Sequence, residues 1–88
     1  MYTSARSVAV QPATLRRAIA DAIEDSELPR TLIAKDASLS RAALESWMSG
    51  LRNPSEESAA QIATALEQRA KLLNAVAARL RRLLAPRK

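Results

Sequence analysis

The 88-residue chain contains no cysteine, no histidine and no phenylalanine, and only one glycine, one tryptophan and one tyrosine. Without cysteine there are no disulfides, thiolate metal ligands or thiol nucleophiles, and without histidine the commonest general base is missing. The groups that remain for catalysis are scattered Ser, Asp, Glu and Lys with no positioned base, so the sequence does not read as an enzyme and calls for no cofactor and no metal. No apolar run approaches the roughly 18 to 20 residues of a membrane span, and residues 1–14 lack the apolar core of a secretory signal. The expectation is a cytoplasmic protein of bacterial or phage type, with one small domain and a modest core.

What is present is mostly alanine and leucine, a helical composition in which 48% of residues are apolar. The formal charge is +5, but it is unevenly placed. Residues 1–68 hold seven basic and nine acidic side chains, a net of −2, while Arg69, Lys71, Arg79, Arg81, Arg82, Arg87 and Lys88 face no acid in residues 69–88. Any case for nucleic-acid binding must therefore rest on local placement rather than on net charge.

Residues 1–12 lack helical periodicity and read as a flexible arm, within which Ser7 to Gln11 fits a short strand only if a partner pairs with it. A first helix is expected over Ala13 to Asp25, with Leu15, Ala18, Ile19, Ala22 and Ile23 inside and Arg16, Arg17, Asp21 and Glu24 outside. Ser26 to Pro29 breaks it, and Pro29 suits the first turn of a second helix that reaches about Ala37. Ser38 to Ser40 make a turn. Ser40 is a good N-cap for a third helix, which ends where Gly50 supplies a left-handed residue.

Between Arg30 and Ser49 the apolar spacing describes two short helices meeting at a tight corner. Ile33 and Ala37 lie one turn apart on the first, Leu44 and Trp47 on the second, and both inner faces converge on Leu39. That leaves Arg41, Ala42, Glu45, Ser46 and Ser49 on the outer face, a short polar set that suits the edges of DNA bases in a major groove. Trp47 belongs to the core. The plainer reading of Arg41 is a solvated helix-start residue paired with Glu45.

Asn53, Pro54, Ser55 and Glu56 form a start signal for a fourth helix, with Asn53 as cap, Pro54 at the first position and Glu56 closing a capping box. No Gly or Pro follows until Pro86, so the run is one long helix or two with a break near Glu67 to Lys71. Ile62, Leu66, Arg69, Leu73, Val76, Leu80 and Leu83 recur at spacings of four and three, and Leu72, Ala77 and Leu84 widen that face. Such a surface needs a cover. The favoured arrangement keeps its early part in the core and places Leu73, Val76, Leu80 and Leu83 at a homodimer interface. The basic stretch Arg79 to Lys88 admits three readings: a solvated face beside the seam, an extra DNA-backbone contact, or a patch for an acidic partner or membrane surface.

Thr31 to Leu66, TLIAKDASLSRAALESWMSGLRNPSEESAAQIATAL, resembles the helix-turn-helix family of phage repressors, the Cro/repressor or xenobiotic-response-element type. The likeness lies in Ala34, the Leu39–Ser40 turn, the Leu44 and Trp47 anchors, the Gly-Leu-Arg-Asn-Pro-Ser segment and the Ile-Ala-x-Ala-Leu ending. It extends over residues 15–66. Ser38 stands where the family usually has glycine, at a cost of roughly 1 kcal/mol if the turn is left-handed. Arg30 stands in place of the usual polar amide.

The resemblance implies an all-α, compact helical bundle of the lambda-repressor-like DNA-binding type, four to five helices with a long C-terminal helix. It places a DNA-binding domain over residues 13–68 and leaves residues 69–88 as a basic C-terminal helix for dimerisation. Arg41 would bond guanine, Ala42 meet a thymine methyl, Ser46 and Ser49 lie beside neighbouring bases, and Glu45 orient Arg41 or accept from cytosine. Arg30, Thr31, Ser40, Arg52 and Asn53 would lie along the phosphates. Arg6 would enter a minor groove only if the arm is more than an unstructured tail. The function so implied is a repressor or autoregulator that binds double-stranded DNA at a palindromic operator as a homodimer. The alternatives are an antitoxin-like regulator with a protein partner at its C-terminal helix, and a protein adaptor that does not bind DNA.

Overall fold

A computed structural model of the chain describes residues 10–86. The arm residues before Val10, Arg6 among them, and Arg87 and Lys88 lie outside the described residues, as does most of the Ser7 to Gln11 segment. Among the described residues there are four helices and no strand: α1 (Pro12–Ser26), α2 (Arg30–Ala37), α3 (Arg41–Met48) and α4 (Glu56–Leu84).

The core is built from all four helices. Ile19 and Ile23 of α1, Ile33, Ala34 and Ala37 of α2, Leu44 and Trp47 of α3, and Ile62 and Ala65 of α4 are buried, with Ile33 and Leu44 at 1% and 0% exposure. Leu15, Leu28, Leu39, Met48 and Leu66 pack around them. The predicted stripe of α1 is narrower than its spacing indicates, because Ala18 is exposed. Arg16 departs in the opposite direction. It is half-buried, and its Nη1 donates to the carbonyl of Trp47 at 3.5 Å, tying α1 to the end of α3.

Each of the first three helices stops in the left-handed region, at Glu27 (φ 57°), Ser38 (φ 60°) and Gly50 (φ 83°). After α2, the Ser38 N–H donates to Lys35 at 3.2 Å and the Leu39 N–H to Ala34 at 2.9 Å, the paired closing bonds of a Schellman motif. Leu39 is thereby turned back onto the core. After α3 the same bonds run from Gly50 to Trp47 and from Leu51 to Ser46, at 3.2 and 2.9 Å. After α1, Ser26 substitutes a side chain: its hydroxyl donates to the Ile23 carbonyl at 2.8 Å and accepts from the Leu28 N–H at 3.2 Å.

Two helix starts differ from expectation. Pro29 is the N-cap of α2 rather than its first helical residue; its carbonyl receives the N–H groups of Leu32 and Ile33. Its fixed φ is as compatible with the extended cap (φ −60°, ψ 141°) as with a helix. Likewise Ser55, not Asn53, caps α4, accepting from the Ser58 N–H at 3.0 Å. The Asn53–Glu56 capping box does not form, because with Ser55 as cap Glu56 is the first helical residue rather than the third. Glu56 and Glu57 instead occupy the first turn, where the helix dipole favours carboxylates.

The fourth helix is a single uninterrupted element, 29 residues long. The open choice near Glu67 to Lys71 is thus settled for continuity. Two cross-links seat its inner half on α2. Gln61 Nε2 donates to the Ala37 carbonyl at 3.1 Å, and Arg69 places both Nε and Nη2 on Asp36 Oδ2 at 3.1 and 2.5 Å. Beyond Arg69 every described residue is exposed.

The strain at Ser38 is open to measurement. Ser38→Gly removes the Cβ from a left-handed residue and is expected to raise stability by roughly 0.5 to 1 kcal/mol, a shift of a few degrees in Tm. An unchanged or lower Tm would show that Ser38 carries no such cost.

Candidate nucleic-acid interface

An eight-residue helix is too short to be stable alone, so α3 exists because Leu44 and Trp47 are buried beneath it. Its orientation follows from those anchors. With Leu44 and Trp47 inward, Arg41, Glu45 and Ser49 form a row of one-turn steps on the other side, with Ala42 beside them. Arg41, Ala42 and Ser49 are exposed and Glu45 is half-buried. Four of the five predicted base-facing residues thus share one outward strip.

Ser46, the fifth, sits at the edge of that strip. It is half-buried, its hydroxyl donates to the Ala43 carbonyl at 2.7 Å, and its own carbonyl receives the N–H groups of Leu51 and Arg52. It lines a shallow depression with Trp47, Arg52, Asn53 and Pro54, so it faces the α3–α4 loop more than the strip. Its part in holding that loop is a structural one that the sequence does not announce. Ser49 likewise gives its hydroxyl to the Ser46 carbonyl, at 3.2 Å.

The predicted phosphate-facing residues fall into two groups. Arg30 and Thr31 open α2, and Ser40 opens α3. Arg52 and Asn53 are exposed in the loop that follows. Ser40 is also engaged within the chain, where its hydroxyl accepts from the Ala43 N–H at 3.0 Å, the N-cap expected from sequence. Arg30 is engaged as well. Its Nη1 donates to Glu45 Oε1 at 2.9 Å and its Nη2 lies 3.6 Å from Glu24 Oε2, while Arg41 Nε lies 3.6 Å from Glu45 Oε2. Four alternating charges from α1, α2 and α3 therefore join into one chain across this surface. The Arg41–Glu45 pair is the one-turn contact that spacing suggests; the Arg30–Glu45 link, between residues fifteen apart, is not visible in local sequence.

Two further residues gain a place that sequence reasoning did not assign. Arg16 supports the C-terminal end of α3, as described, and lies 3.8 Å from where a Cβ on Gly50 would stand. Leu51 projects from the adjoining loop at 81% exposure. The only signal for Leu51 is its position between Gly50 and Arg52, outside any apolar periodicity.

The predicted dimer residues Leu73, Val76, Leu80 and Leu83 are all exposed on the outer half of α4, together with Leu72 and Leu84. They lie far along the helix from the strip of α3. Among the described residues no group of acidic side chains is placed to hold a metal ion, and no helix is long and apolar enough to cross a membrane. No known protein family, characterised protein or solved structure matches the chain. The strip itself carries one guanidinium, one carboxylate, one hydroxyl and a methyl, bounded by the starts of two helices.

Capping and backbone contact by Ser40 can be separated. Ser40→Ala is expected to lower stability by about 1 kcal/mol in thermal unfolding, and Ser40→Asp to recover most of it by restoring the acceptor. Full stability in the alanine variant would show that the 3.0 Å bond contributes nothing net.

Proposed function

We propose that the protein is a sequence-specific DNA-binding transcriptional regulator of the phage-repressor type, with α3 entering the major groove. The observation that carries this reading is the packed corner of α2 and α3, which buries Leu44 and Trp47 and presents Arg41, Ala42, Glu45 and Ser49 outward on one capped helix. An eight-residue ridge with short side chains fits a groove about 12 Å wide. Arg41 stands in its first turn, where a bidentate bond to guanine O6 and N7 contributes about 1 to 3 kcal/mol of discrimination. Thr31, Ser40, Arg52 and Asn53 border the ridge as phosphate contacts.

The protein acts as a homodimer on a palindromic operator, joined through Leu73, Val76, Leu80 and Leu83 of α4. Support comes from the continuity of the helix face: the side that buries Ile62 and Ala65 in the core carries these exposed residues farther along. Two half-sites about 34 Å apart then match two copies of α3. A dimer that occupies a promoter in this way represses it, its own promoter being a simple case. The exposed leucines also favour a second reading, in which the outer half of α4 holds a protein partner and the α3 surface has no DNA role.

Selection of bound duplexes from a randomised pool at near-physiological salt is expected to enrich an inverted repeat. Arg41→Ala should then lose specific binding while remaining folded and dimeric; an adaptor would be indifferent to the change, and recovery of no preferred sequence would favour the partner-binding reading. The interface has its own check. Leu80→Arg combined with Leu83→Arg is expected to convert the dimer to a monomer in sedimentation, and persistence of the dimer would reject these leucines as the contact.

A further inference from the structure

The charge chain Glu24–Arg30–Glu45–Arg41 has an unusual position for its acids. Glu45 lies in the middle of the strip assigned to the bases, and each of its oxygens faces a different arginine: Oε1 meets Arg30 Nη1 at 2.9 Å, and Oε2 lies 3.6 Å from Arg41 Nε. Arg30, at the start of α2, is also neutralised from its far side by Glu24 at 3.6 Å. A protein built only for tight adhesion to phosphate would leave Arg30 free. Here its charge is offset twice.

Resting on the DNA-binding reading, we infer that Glu45 is a positioning residue that enforces sequence discrimination. It restrains Arg30 from the phosphate backbone and aims Arg41 at the base edges. The Arg41 contact is a charge pairing at Nε, 3.6 Å from Glu45 Oε2 and too long for a hydrogen bond, so it orients the guanidinium without using up the N–H donors that bond guanine O6 and N7 together. On a duplex with the right base, Arg41 makes that bond with the Glu45 carboxylate still beside it. On any other duplex it gains nothing, Arg30 stays neutralised, and the Glu45 carboxylate lies close to phosphates that repel it. The weak general attraction is in keeping with the charge of the whole domain, since residues 1–68 carry two more acids than bases. Discrimination of this kind comes from weakening the wrong complexes more than from tightening the right one.

The test compares the wild type, Glu45→Gln and the double variant Glu45→Gln/Arg30→Gln by fluorescence anisotropy. The probes are the selected operator and a scrambled duplex of equal length and composition, across about 50 to 300 mM salt. Glu45→Gln is expected to bind the scrambled duplex about tenfold tighter, with a steeper salt dependence by about one phosphate contact, and the operator-to-scrambled ratio should fall about tenfold. In the double variant the scrambled-duplex affinity should return to the wild-type level, because freed Arg30 supplies the gain. A merely structural role for Glu45 would weaken both complexes together, and that outcome overturns the inference. So does an unchanged scrambled-duplex affinity and salt slope when the wild type discriminates normally, which leaves the DNA reading intact. A wild type that does not discriminate operator from scrambled duplex overturns both.

Discussion

The burial of Leu44 and Trp47 is the constraint from which the rest of the molecule follows. Helix α3 has eight residues, far fewer than the roughly 12 to 15 that a helix needs to persist alone in water, so its shape is a product of packing. Leu44 is completely enclosed by the other helices, and Arg16 reaches from α1 to the carbonyl of Trp47. Once those two side chains are inward, helical geometry leaves no choice about which residues face out. The direction in which the row Arg41, Glu45 and Ser49 leaves the helix is therefore set by the core beneath it.

The helix ends show how a chain with one glycine makes three sharp reversals. Gly50 takes the reversal with the largest φ, 83°, next to the Arg16 guanidinium. Ser38 and Glu27 take the other two with ordinary side chains, at 60° and 57°. At Ser38 the paired Schellman bonds and the burial of Leu39 offset the conformational cost. At the α1–α2 turn, the Ser26 hydroxyl bridges two backbone groups that the turn leaves apart.

Local periodicity made much of this legible. The spans of α1, α2 and α3, the Ser40 cap, the left-handed Gly50, and the inward Leu44 and Trp47 all follow from spacing and capping chemistry that act within a turn or two. The misplacements share a cause. Pro29 and Pro54 each mark a helix start, but proline's fixed φ is as compatible with the extended residues before a helix as with its first turn, so it does not fix the exact position. The inward turn of Arg16, the Arg69–Asp36 pair and the Arg30–Glu45 link join residues from fifteen to thirty-three apart, distances at which pattern says nothing. Of the candidate site, the outward strip and its Arg41–Glu45 pair were readable and the links through Arg30 were not. The continuity of α4 was likewise undetermined by sequence, since the absence of a breaker does not exclude a break.

The uninterrupted run of α4 from Ile62 in the core to Leu83 in the open makes the helix a lever. Its 29 residues span about 44 Å at a helical rise of 1.5 Å per residue. Gln61 and Arg69 fasten α2 to that rod, so a change in how the rods cross is passed to the domain through the helix itself. In the proposed dimer the leucines centre about 24 Å along the rod from Ile62, so a rotation of about 10° there would displace the core end by about 4 Å, roughly one base-pair step. Side-chain sizes at Leu73, Val76, Leu80 and Leu83 would then act as a ruler, so that the gap between half-sites could change through substitutions that never touch DNA.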